Sequence, residues 1–206
     1  MSNLILMRHG QSIWNLQNRF TGGIDVPLTR KGISQAKRAG QGLKKMKIKI
    51  DVVYSSKLSR SIETAQIAIK KFNSSGMIIN KITKTKALNE RDYGDLSGKY
   101  KDELEKTYGE KKVLEWRRSF SIKPPGGESL KDVLERVKPF FLKKIIPLLK
   151  KKKNILIVAH GNSLRATMIR AGLYKPDKIS QIELPTGIPF VINFEEKKVK
   201  NFEYLS

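Results

Sequence analysis

Short apolar runs alternate with amphipathic segments along this chain. Leu4 to Met7 and Ile155 to Ala159 are continuous apolar runs, which is typical of strands buried on both faces of a sheet. Val52 to Tyr54 and Met77 to Ile82 indicate two more strands. Because strands that alternate with amphipathic helices favour a parallel sheet, we predict an α/β fold with three layers, α/β/α, around a mostly parallel central sheet.

Apolar residues at helical spacing mark the helices between these strands. The first helix opens within residues 28–32 and carries apolar positions at Ile33, Ala36, Ala39, Leu43 and Met46. The second carries them at Ile62, Ala65, Ile69 and Phe72. A charged helical stretch runs from Lys101 to Phe120 with an interruption at Gly109, and residues 164–171 begin the last predicted helix.

The longest amphipathic segment begins with a capping signal and contains two prolines. Ser129, with Asp132 three residues further on, resembles a capping box in which the shorter acid replaces Glu. Pro139 and Pro147 fall inside the helical pattern that follows. Since proline removes a helical hydrogen bond and its ring clashes with the preceding turn, we predict a kink or a break there.

The chain of 206 residues is predicted to form one domain, residues 1–206. No repeat, low-complexity linker or shift in composition divides it, and the short tail after Phe194 is assigned no role. The apolar N-terminus is short and runs directly into Arg8, which does not fit a signal peptide. No apolar run approaches the ~20 residues of a membrane span. We therefore predict a cytoplasmic protein with no membrane partner.

The counts of two residue types narrow the possible chemistry. The chain has no Cys, which argues against disulfides, thiol nucleophiles, zinc ribbons and iron–sulfur clusters. It has two His, so no site with more than two imidazole ligands is possible, and we predict no metal. The phosphate-binding loops G-x-x-x-x-G-K-[ST] and G-x-G-x-x-G and the serine-hydrolase motif G-x-S-x-G are absent from the sequence.

The net charge suggests anionic partners without identifying them. Lys and Arg number 42 against 19 Asp and Glu, which gives a formal charge of +23. Nucleic acid is the first alternative to consider, and it would need these cations on one face with aromatic residues between them. The Lys residues are instead spread along every predicted helix, and only 8% of residues are aromatic. We predict no specific nucleic-acid binding, although association through charge alone stays open.

The two His residues occupy equivalent positions. His9 follows the strand at residues 4–7 and His160 follows the strand at residues 155–159, and each is followed by Gly. Ligands of open α/β sheets bind outside the carboxyl ends of the strands. We therefore expect both imidazoles at one edge of the sheet, where Gly10 and Gly161 allow an anion to approach the main chain.

Cationic residues fall at the same predicted edge. Arg8 precedes His9, and Arg60 begins the helix after the second strand. One guanidinium group can bind two phosphate oxygens at once, and a neutral imidazole can attack phosphorus. This set of residues is therefore suited to binding and transferring a phosphoryl group. The alternatives are that Arg60 is a solvated residue at a helix end and that Arg117 and Arg118 are an exposed basic pair.

Glu90 is the candidate acid–base residue. It lies in a polar, loop-like segment, residues 88–94. A carboxyl group beside a bound phosphoester is favoured in its protonated form, which suits proton exchange. The alternative is that Glu90 pairs with Arg91 or another surface cation.

Several ordered segments carry a family resemblance. Arg8-His9-Gly10-Gln11-Ser12 resembles the R-H-G-[EQ]-[ST] motif of the histidine phosphatase superfamily. Further segments, between residue 4 and about residue 194, are similar to the cofactor-dependent phosphoglycerate mutases: Trp14-Asn15, residues 18–22, 25–29 and 90–94, Gly32, Lys101, and residues 116–118, 159–166 and 185–187. A bare R-H-G triplet carries little weight, but this many segments in order are specific.

The resemblance implies a fold like that of these mutases and a glycolytic and gluconeogenic reaction. Members interconvert 3-phosphoglycerate and 2-phosphoglycerate through a phosphohistidine that 2,3-bisphosphoglycerate primes. By matching position, His9 is the phosphoryl acceptor, and Glu90 exchanges a proton with the substrate hydroxyl. The groups that hold the transferring phosphoryl group are Arg8, Arg60 and His160.

The resemblance also implies a set of binding residues. Those assigned to the phosphate site are Ser12, Asn15, Thr21, Gly22 and Asn162. Those assigned to the carboxylate or second phosphate are Tyr93, Lys101, Arg117 and Arg118. Gly10, Gln11, Arg91 and Gly161 are assigned to binding as well. A homodimer or homotetramer is also expected from the family.

One departure keeps a second activity open. A mutase must retain the bisphosphate while it reorients, and Lys101 with the Arg117–Arg118 pair favours such a second cationic subsite. The connection from Ser119 to Pro125, however, is shorter than in the longer mutases and resembles that of phosphatase members of the superfamily. A small-molecule phosphomonoesterase of the same superfamily is therefore the alternative.

Overall fold

A six-stranded sheet forms the centre of the molecule. The computed structural model describes residues 1–72, 81–195 and 198–205. The strand order is β3-β2-β4-β1-β5-β6, with β1 at Ser2–Arg8, β2 at Val52–Ser55, β3 at Ile82–Lys84, β4 at Ile155–Ala159, β5 at Pro189–Glu195 and β6 at Lys198–Tyr204. Strands β3, β2, β4 and β1 pair in parallel, whereas β5 and β6 pair antiparallel. The prediction of a mostly parallel central sheet is confirmed.

Helices lie on both faces of this sheet. They are α1 (Ile13–Leu16), α2 (Arg30–Lys45), α3 (Ser59–Phe72), α4 (Lys101–Tyr108), α5 (Glu110–Arg118), α6 (Leu130–Phe140), α7 (Ile146–Lys150) and α8 (Gly161–Arg170). The interruption predicted at Gly109 is confirmed, because this residue separates α4 from α5. The capping box predicted at Ser129 is also present, with reciprocal bonds to Asp132.

The continuous apolar strands supply two cores at once. Leu4 and Leu6 of β1 belong to the core under α6, α7 and α8, whereas Ile5 and Met7 belong to the core under α2 and α3. Strand β4 divides its side chains between the same two cores. Because successive side chains of a strand point to opposite faces, only a strand covered on both sides needs an unbroken apolar run.

The segment with Pro139 and Pro147 contains a shift of hydrogen-bond register. Residues Phe141–Ile145 form a π-helical segment between α6 and α7, so the chain stays helical throughout. The wider turn ends with a hydrogen bond from the N–H of Ile146 to the carbonyl oxygen of Phe141, directly before Pro147, which lies in the first turn of α7 and has no N–H to donate. Pro139 lies inside α6.

The C-terminal part of the chain adds two strands that the sequence analysis did not assign. Strand β5 is antiparallel to β1 and largely buried, whereas β6 forms the exposed sheet edge beyond it. An edge strand faces solvent and carries few apolar residues, which explains why the tail after Phe194 gave no signal. Of the strand predicted at Met77 to Ile82, residues 77–80 lie outside the described residues, and β3 begins at Ile82.

Within the described ranges, no helix has the length and apolar character needed to cross a membrane.

Candidate active site

The two imidazoles meet at the carboxyl edge of the parallel strands. Strands β1 and β4 are neighbours, and Arg8 pairs with Ala159 at their ends. The next residues, His9 and His160, place their ring centroids 4.8 Å apart with a tilt of 59° between the rings. The prediction that both His lie at one edge of the sheet is confirmed.

Local hydrogen bonds orient each ring. Nδ1 of His9 lies 2.7 Å from the carbonyl oxygen of Gly10, a contact in which the nitrogen donates its proton. Nε2 of the neutral ring is then the unprotonated nitrogen that is free to attack an electrophile. Nε2 of His160 lies 2.7 Å from Oγ of Ser56, and its Nδ1 is buried without a partner among the described residues.

Burial and nearby arginines keep both imidazoles neutral. Burial lowers the pKa of His9 well below its ordinary value, and the charges of Arg60 and Arg8 lower it further. Burial also lowers the pKa of His160 well below its ordinary value, and the adjacent ring of His9 and the charge of Arg60 lower it further. A neutral imidazole is the form that a nucleophile requires.

The residues after His9 hold the loop in place. A Cβ on Gly10 would lie 2.3 Å from the carbonyl oxygen of Gly32, so only glycine permits this close approach of the loop to α2. The backbone N–H of Gln11 donates to Oε1 of Gln35 at 2.8 Å. Ser12 is the N-cap of α1 in a capping box with Asn15.

A first cavity of about 90 Å³ opens beside His9. Its lining residues are Arg8, His9, Asn15, Arg19, Phe20, Thr21, Gly22, Arg60, Glu90, Tyr93 and Lys101. Gly10, Gln11 and Ser12, which the sequence analysis assigned to binding, are not among them. His160 touches the ring of His9 but lies outside this lining as well. Gly10, Gln11, Ser12 and His160 thus support the residues that line the first cavity rather than lining it themselves.

Arg60 is a buried component of the first cavity. Its side chain is fully buried, and Nη1 and Nη2 donate to the carbonyl oxygens of Ile24 and Gly22 at 2.8 and 2.9 Å. Burial lowers its pKa to about 10, while Glu90 and Asp25 oppose this shift, so the group stays charged at neutral pH. The alternative that Arg60 is a solvated residue at a helix end is therefore wrong.

A second cavity of about 200 Å³ adjoins the first. Its lining residues are Arg8, Glu90, Tyr93, Lys101, Arg117, Arg118, Gly161, Asn162, Arg165 and Glu183. Four residues, Arg8, Glu90, Tyr93 and Lys101, line both cavities. The site can therefore hold two anionic groups of one small molecule, one in each cavity.

Glu90 lies where the two cavities join. Its Oε1 accepts hydrogen bonds from the backbone N–H of Arg91 at 2.7 Å and from the backbone N–H and Nδ2 of Asn162 at 3.2 and 3.1 Å. No ion pair within the described residues includes Glu90. Neutral N–H donors hold Oε1, whereas no donor among the described residues is bonded to Oε2, which faces the cavities.

Arg136 fixes the main chain around Glu90. Its guanidinium donates to the carbonyl oxygens of Ala87, Asn89 and Glu90 at 2.8, 2.9 and 3.1 Å, and it pairs with the carboxylate of Glu128. These bonds tie the loop that carries Glu90 to α6. Sequence reasoning did not single out Arg136, because its acceptors are main-chain carbonyl groups about 50 residues earlier in the chain.

The Arg117–Arg118 pair reaches the second cavity with its charges partly compensated. Nη1 of Arg117 lies 3.5 Å from Oε1 of Glu105, and Arg118 pairs with Glu183. Lys101 donates to Oδ1 of Asn18 at 3.0 Å. Burial, followed by the charge of Arg117, lowers the pKa of Lys101 to about 8.

Arg91 is placed differently from its sequence assignment. Its side chain is buried, lines neither cavity, and donates through Nη2 to the carbonyl oxygens of Trp116 and Arg117 at 2.7 and 2.9 Å. The guanidinium also lies over the ring of Tyr93, 4.6 Å from its centroid. Arg91 thus holds the end of α5 and Tyr93 in place, and this geometry does not support direct substrate binding by its side chain.

Four lining residues were not assigned from the sequence. They are Arg19 and Phe20 in the first cavity and Arg165 and Glu183 in the second. Arg165 lies one helical turn after Gly161 in α8, so their shared helix face was a usable signal. Glu183 lies in a segment without motif or periodicity, and nothing local predicted its position.

Among the described residues, no group of three or more His, Asp and Glu side chains is arranged to hold a metal ion.

The fold and this site place the protein in a known class. Residues 4–203 match the sequence profile of the histidine phosphatase superfamily (branch 1), and the chain belongs to that superfamily. It is 50% identical to a 2,3-bisphosphoglycerate-dependent phosphoglycerate mutase of Bartonella henselae, over 93% of this chain and 91% of the relative. It is 45% identical to a protein of the same name from Brucella canis, over 98% of both chains.

Solved structures support the fold. A mycobacterial glucosyl-3-phosphoglycerate phosphatase superposes with a TM-score of 0.80 at 23% identity, over 94% of this chain and 93% of that chain. The α-ribazole phosphatase of Shigella flexneri superposes with a TM-score of 0.78 at 24% identity, over 96% of this chain and 93% of that chain. At these identities the likeness concerns the fold alone.

The length comparison bears on the short connection after Arg118. The Brucella canis relative matches this chain end to end, so a protein that bears the mutase name has about the same length. The short connection therefore does not by itself separate this chain from such proteins.

Proposed function

We propose that this protein is a phosphoglycerate mutase that interconverts 3-phosphoglycerate and 2-phosphoglycerate, as a step of glycolysis and gluconeogenesis. The observation that carries the proposal is the pair of adjoining cationic cavities, with His9 in the first and Glu90 where they join. The relatives at 45 to 50% identity, named 2,3-bisphosphoglycerate-dependent phosphoglycerate mutases, support it. We propose 2,3-bisphosphoglycerate as the primer that phosphorylates His9.

The first cavity is suited to phosphoryl transfer to His9. When Nε2 attacks phosphorus, a P–N bond forms and the P–O bond to the glycerate oxygen breaks. Arg8 and Arg60 offset the charge on the phosphoryl oxygens, which is the main assistance such a transfer requires. Glu90 supplies a proton to the departing oxygen, and takes one from the substrate hydroxyl in the reverse direction.

The second cavity supports the proposed retention of the bisphosphate. The intermediate carries two phosphates and a carboxylate, and it must reorient before it returns a phosphoryl group to His9. Arg117 and Arg118 place positive charge outside the first cavity, and Lys101 borders both cavities, so an anionic group can remain bound while another moves. Hydrolysis of a phosphomonoester has no need of such a second subsite.

An isomerisation assay tests the proposed function. Phosphorus NMR of 3-phosphoglycerate with a catalytic amount of 2,3-bisphosphoglycerate is expected to show the 2-phospho isomer. The rate should not change when EDTA is added, since the proposed transfer uses only protein groups. If inorganic phosphate accumulates without the isomer, the mutase assignment is wrong and a phosphomonoesterase replaces it. A loss of isomerisation with EDTA would contradict the proposed independence of metal.

We expect substrate capture to weaken above about pH 8. The pKa of Lys101 is lowered to about 8, so this residue loses its positive charge as the pH rises through that value. An anionic substrate is then bound less well by the free enzyme, and kcat/KM should fall while kcat changes less. Lys101→Arg keeps its charge throughout this range and should remove that fall. The same decline of kcat/KM in the Arg variant would assign the titration to another group.

Other predictions from the sequence remain to be measured. They are the single-domain organisation, the cytoplasmic location, the homodimer or homotetramer, and the absence of specific nucleic-acid binding. The two cavities use only a few of the chain's cations, and the general excess of positive charge can steer anionic substrates toward the site.

A further inference from the structure

Arg165 is a buried arginine on the wall of the second cavity. It is 8% exposed, and its Nε and Nη2 both donate to the carbonyl oxygen of Ile182, at 3.0 and 2.8 Å. Nη1 has no hydrogen-bond partner within the described part of the chain. A Cβ placed on Gly161 would lie 3.3 Å from this Nη1 and 3.8 Å from Oε2 of Glu90. The free end of the guanidinium is therefore beside Gly161 and close to Glu90.

No carboxylate of the described residues lies within ion-pair distance of Arg165. Arg117 and Arg118 pair with Glu105 and Glu183, whereas no ion pair of the described residues includes Arg165. Burial and the charge of Arg118 lower the pKa of Arg165 to about 10, so it stays charged at neutral pH. The nearby charge of Glu90 opposes this shift in pKa without forming an ion pair with Arg165. A buried charge that is only partly compensated is unfavourable, and a bound anion would lower this cost.

The N-terminus of α8 adds positive potential at the same place. Gly161 and Asn162 form the first turn of this ten-residue helix, and both line the second cavity. The N–H groups and the helix dipole at such an end favour a negative group, and Glu90 already accepts a hydrogen bond there from the backbone N–H of Asn162. Arg165, one turn later, is the charged side chain that projects to the same wall.

We propose that Arg165 binds the second anionic group of the substrate, the carboxylate of a phosphorylated glycerate, and thereby selects such substrates over plain phosphomonoesters. The assignment rests on the proposed function for the identity of that group. The phosphate of the same molecule occupies the first cavity with Arg8 and Arg60. Arg118 shares its charge with Glu183, whereas Nη1 of Arg165 donates to no acceptor in the part of the chain that the structure describes.

Two ligands that differ by the carboxylate test this assignment. Calorimetry measures Kd for 3-phosphoglycerate and for glycerol 3-phosphate, without 2,3-bisphosphoglycerate, so that no turnover occurs. In the wild type, 3-phosphoglycerate should bind more tightly. In Arg165→Gln, its Kd should rise about 10- to 100-fold, as expected for the loss of one charged hydrogen bond. The Kd for glycerol 3-phosphate should stay within about twofold, because only the carboxylate contact is removed.

Two further variants complete the experiment. Arg170→Gln removes one positive charge from the last turn of the same helix, outside both cavities, and should change neither Kd. Arg165→Lys keeps the charge without the planar fork, so a reduced preference for 3-phosphoglycerate should remain. If Arg165→Gln does not fold, Arg165→Lys tests the proposal in its place. A preference for 3-phosphoglycerate over glycerol 3-phosphate equal to that of the wild type would then overturn the proposal.

The remaining outcomes are distinct. Equal weakening of both ligands in Arg165→Gln would show a structural role and overturn the assignment, as would unchanged affinities or a wild type without preference for 3-phosphoglycerate. If the carboxylate-dependent loss is found but the NMR assay shows no isomer, the assignment of Arg165 stands and the mutase proposal fails. The two proposals are thus separable.

Discussion

His9→Ala is expected to abolish phosphoryl acceptance and to reduce isomerisation by about 10⁴-fold or more, the scale seen when a catalytic nucleophile is removed. The reason is geometric. Gly10 holds Nδ1 of His9, burial and two arginines keep the ring neutral, and the ring lines the first cavity. Alanine leaves the cations of this cavity in place but removes the nitrogen that would form the P–N bond.

Labelling with radioactive 2,3-bisphosphoglycerate measures this prediction directly. The wild type should incorporate phosphate that is labile in acid and stable in base, and His9→Ala should incorporate none. His160→Ala is the matched control, because it removes the other buried imidazole but leaves the proposed acceptor. It should still take up label, although more slowly. Labelled His9→Ala, or a reversal of the two results, would reassign the acceptor.

Glu90→Gln is expected to lower kcat by about 10²- to 10⁴-fold, the usual contribution of a general acid or base. The amide oxygen of Gln can still accept the hydrogen bonds that Arg91 and Asn162 donate to Oε1. The site geometry should therefore survive, while the side chain loses its ability to exchange a proton. Kd for 3-phosphoglycerate should not rise, because a negative charge beside the anionic substrate has been removed.

Glu183→Gln provides the comparison for Glu90. It neutralises the other carboxylate of the second cavity, which pairs with Arg118 rather than lying where the cavities join. Its kcat should stay near that of the wild type. Steady-state kinetics and calorimetry on both variants separate the two roles. A wild-type kcat in Glu90→Gln, or an equal loss in Glu183→Gln, would remove Glu90 from the proposed proton transfer.

The strands that carry the site were predictable because their burial is complete. A strand covered on both faces must be apolar at every position, so β1 and β4 stood out as unbroken apolar runs. The position of one His directly after each run then implied that the two imidazoles meet. Strand β6 needs no such run at the exposed edge of the sheet, and its polar sequence concealed it.

The long side chains of the site were less predictable. Arg60, Arg91 and Arg165 all lie near the site, but each is positioned by main-chain carbonyl groups at least 17 residues away in sequence. No local pattern shows where such acceptors lie after folding. The family resemblance assigned Arg60 to the phosphoryl group and Arg91 to substrate binding, and the structure places the first in a cavity and the second behind it.

The sequence by itself determined the α/β class, the buried parallel strands and the meeting of two histidines at one sheet edge, because apolar periodicity and the positions of strand ends are local properties. Only the tertiary structure decided which arginines face a ligand and which hold the backbone. A guanidinium takes its direction from acceptors and counter-ions that distant segments bring to it. Tertiary packing also divided the site into two cavities with Glu90 at their junction.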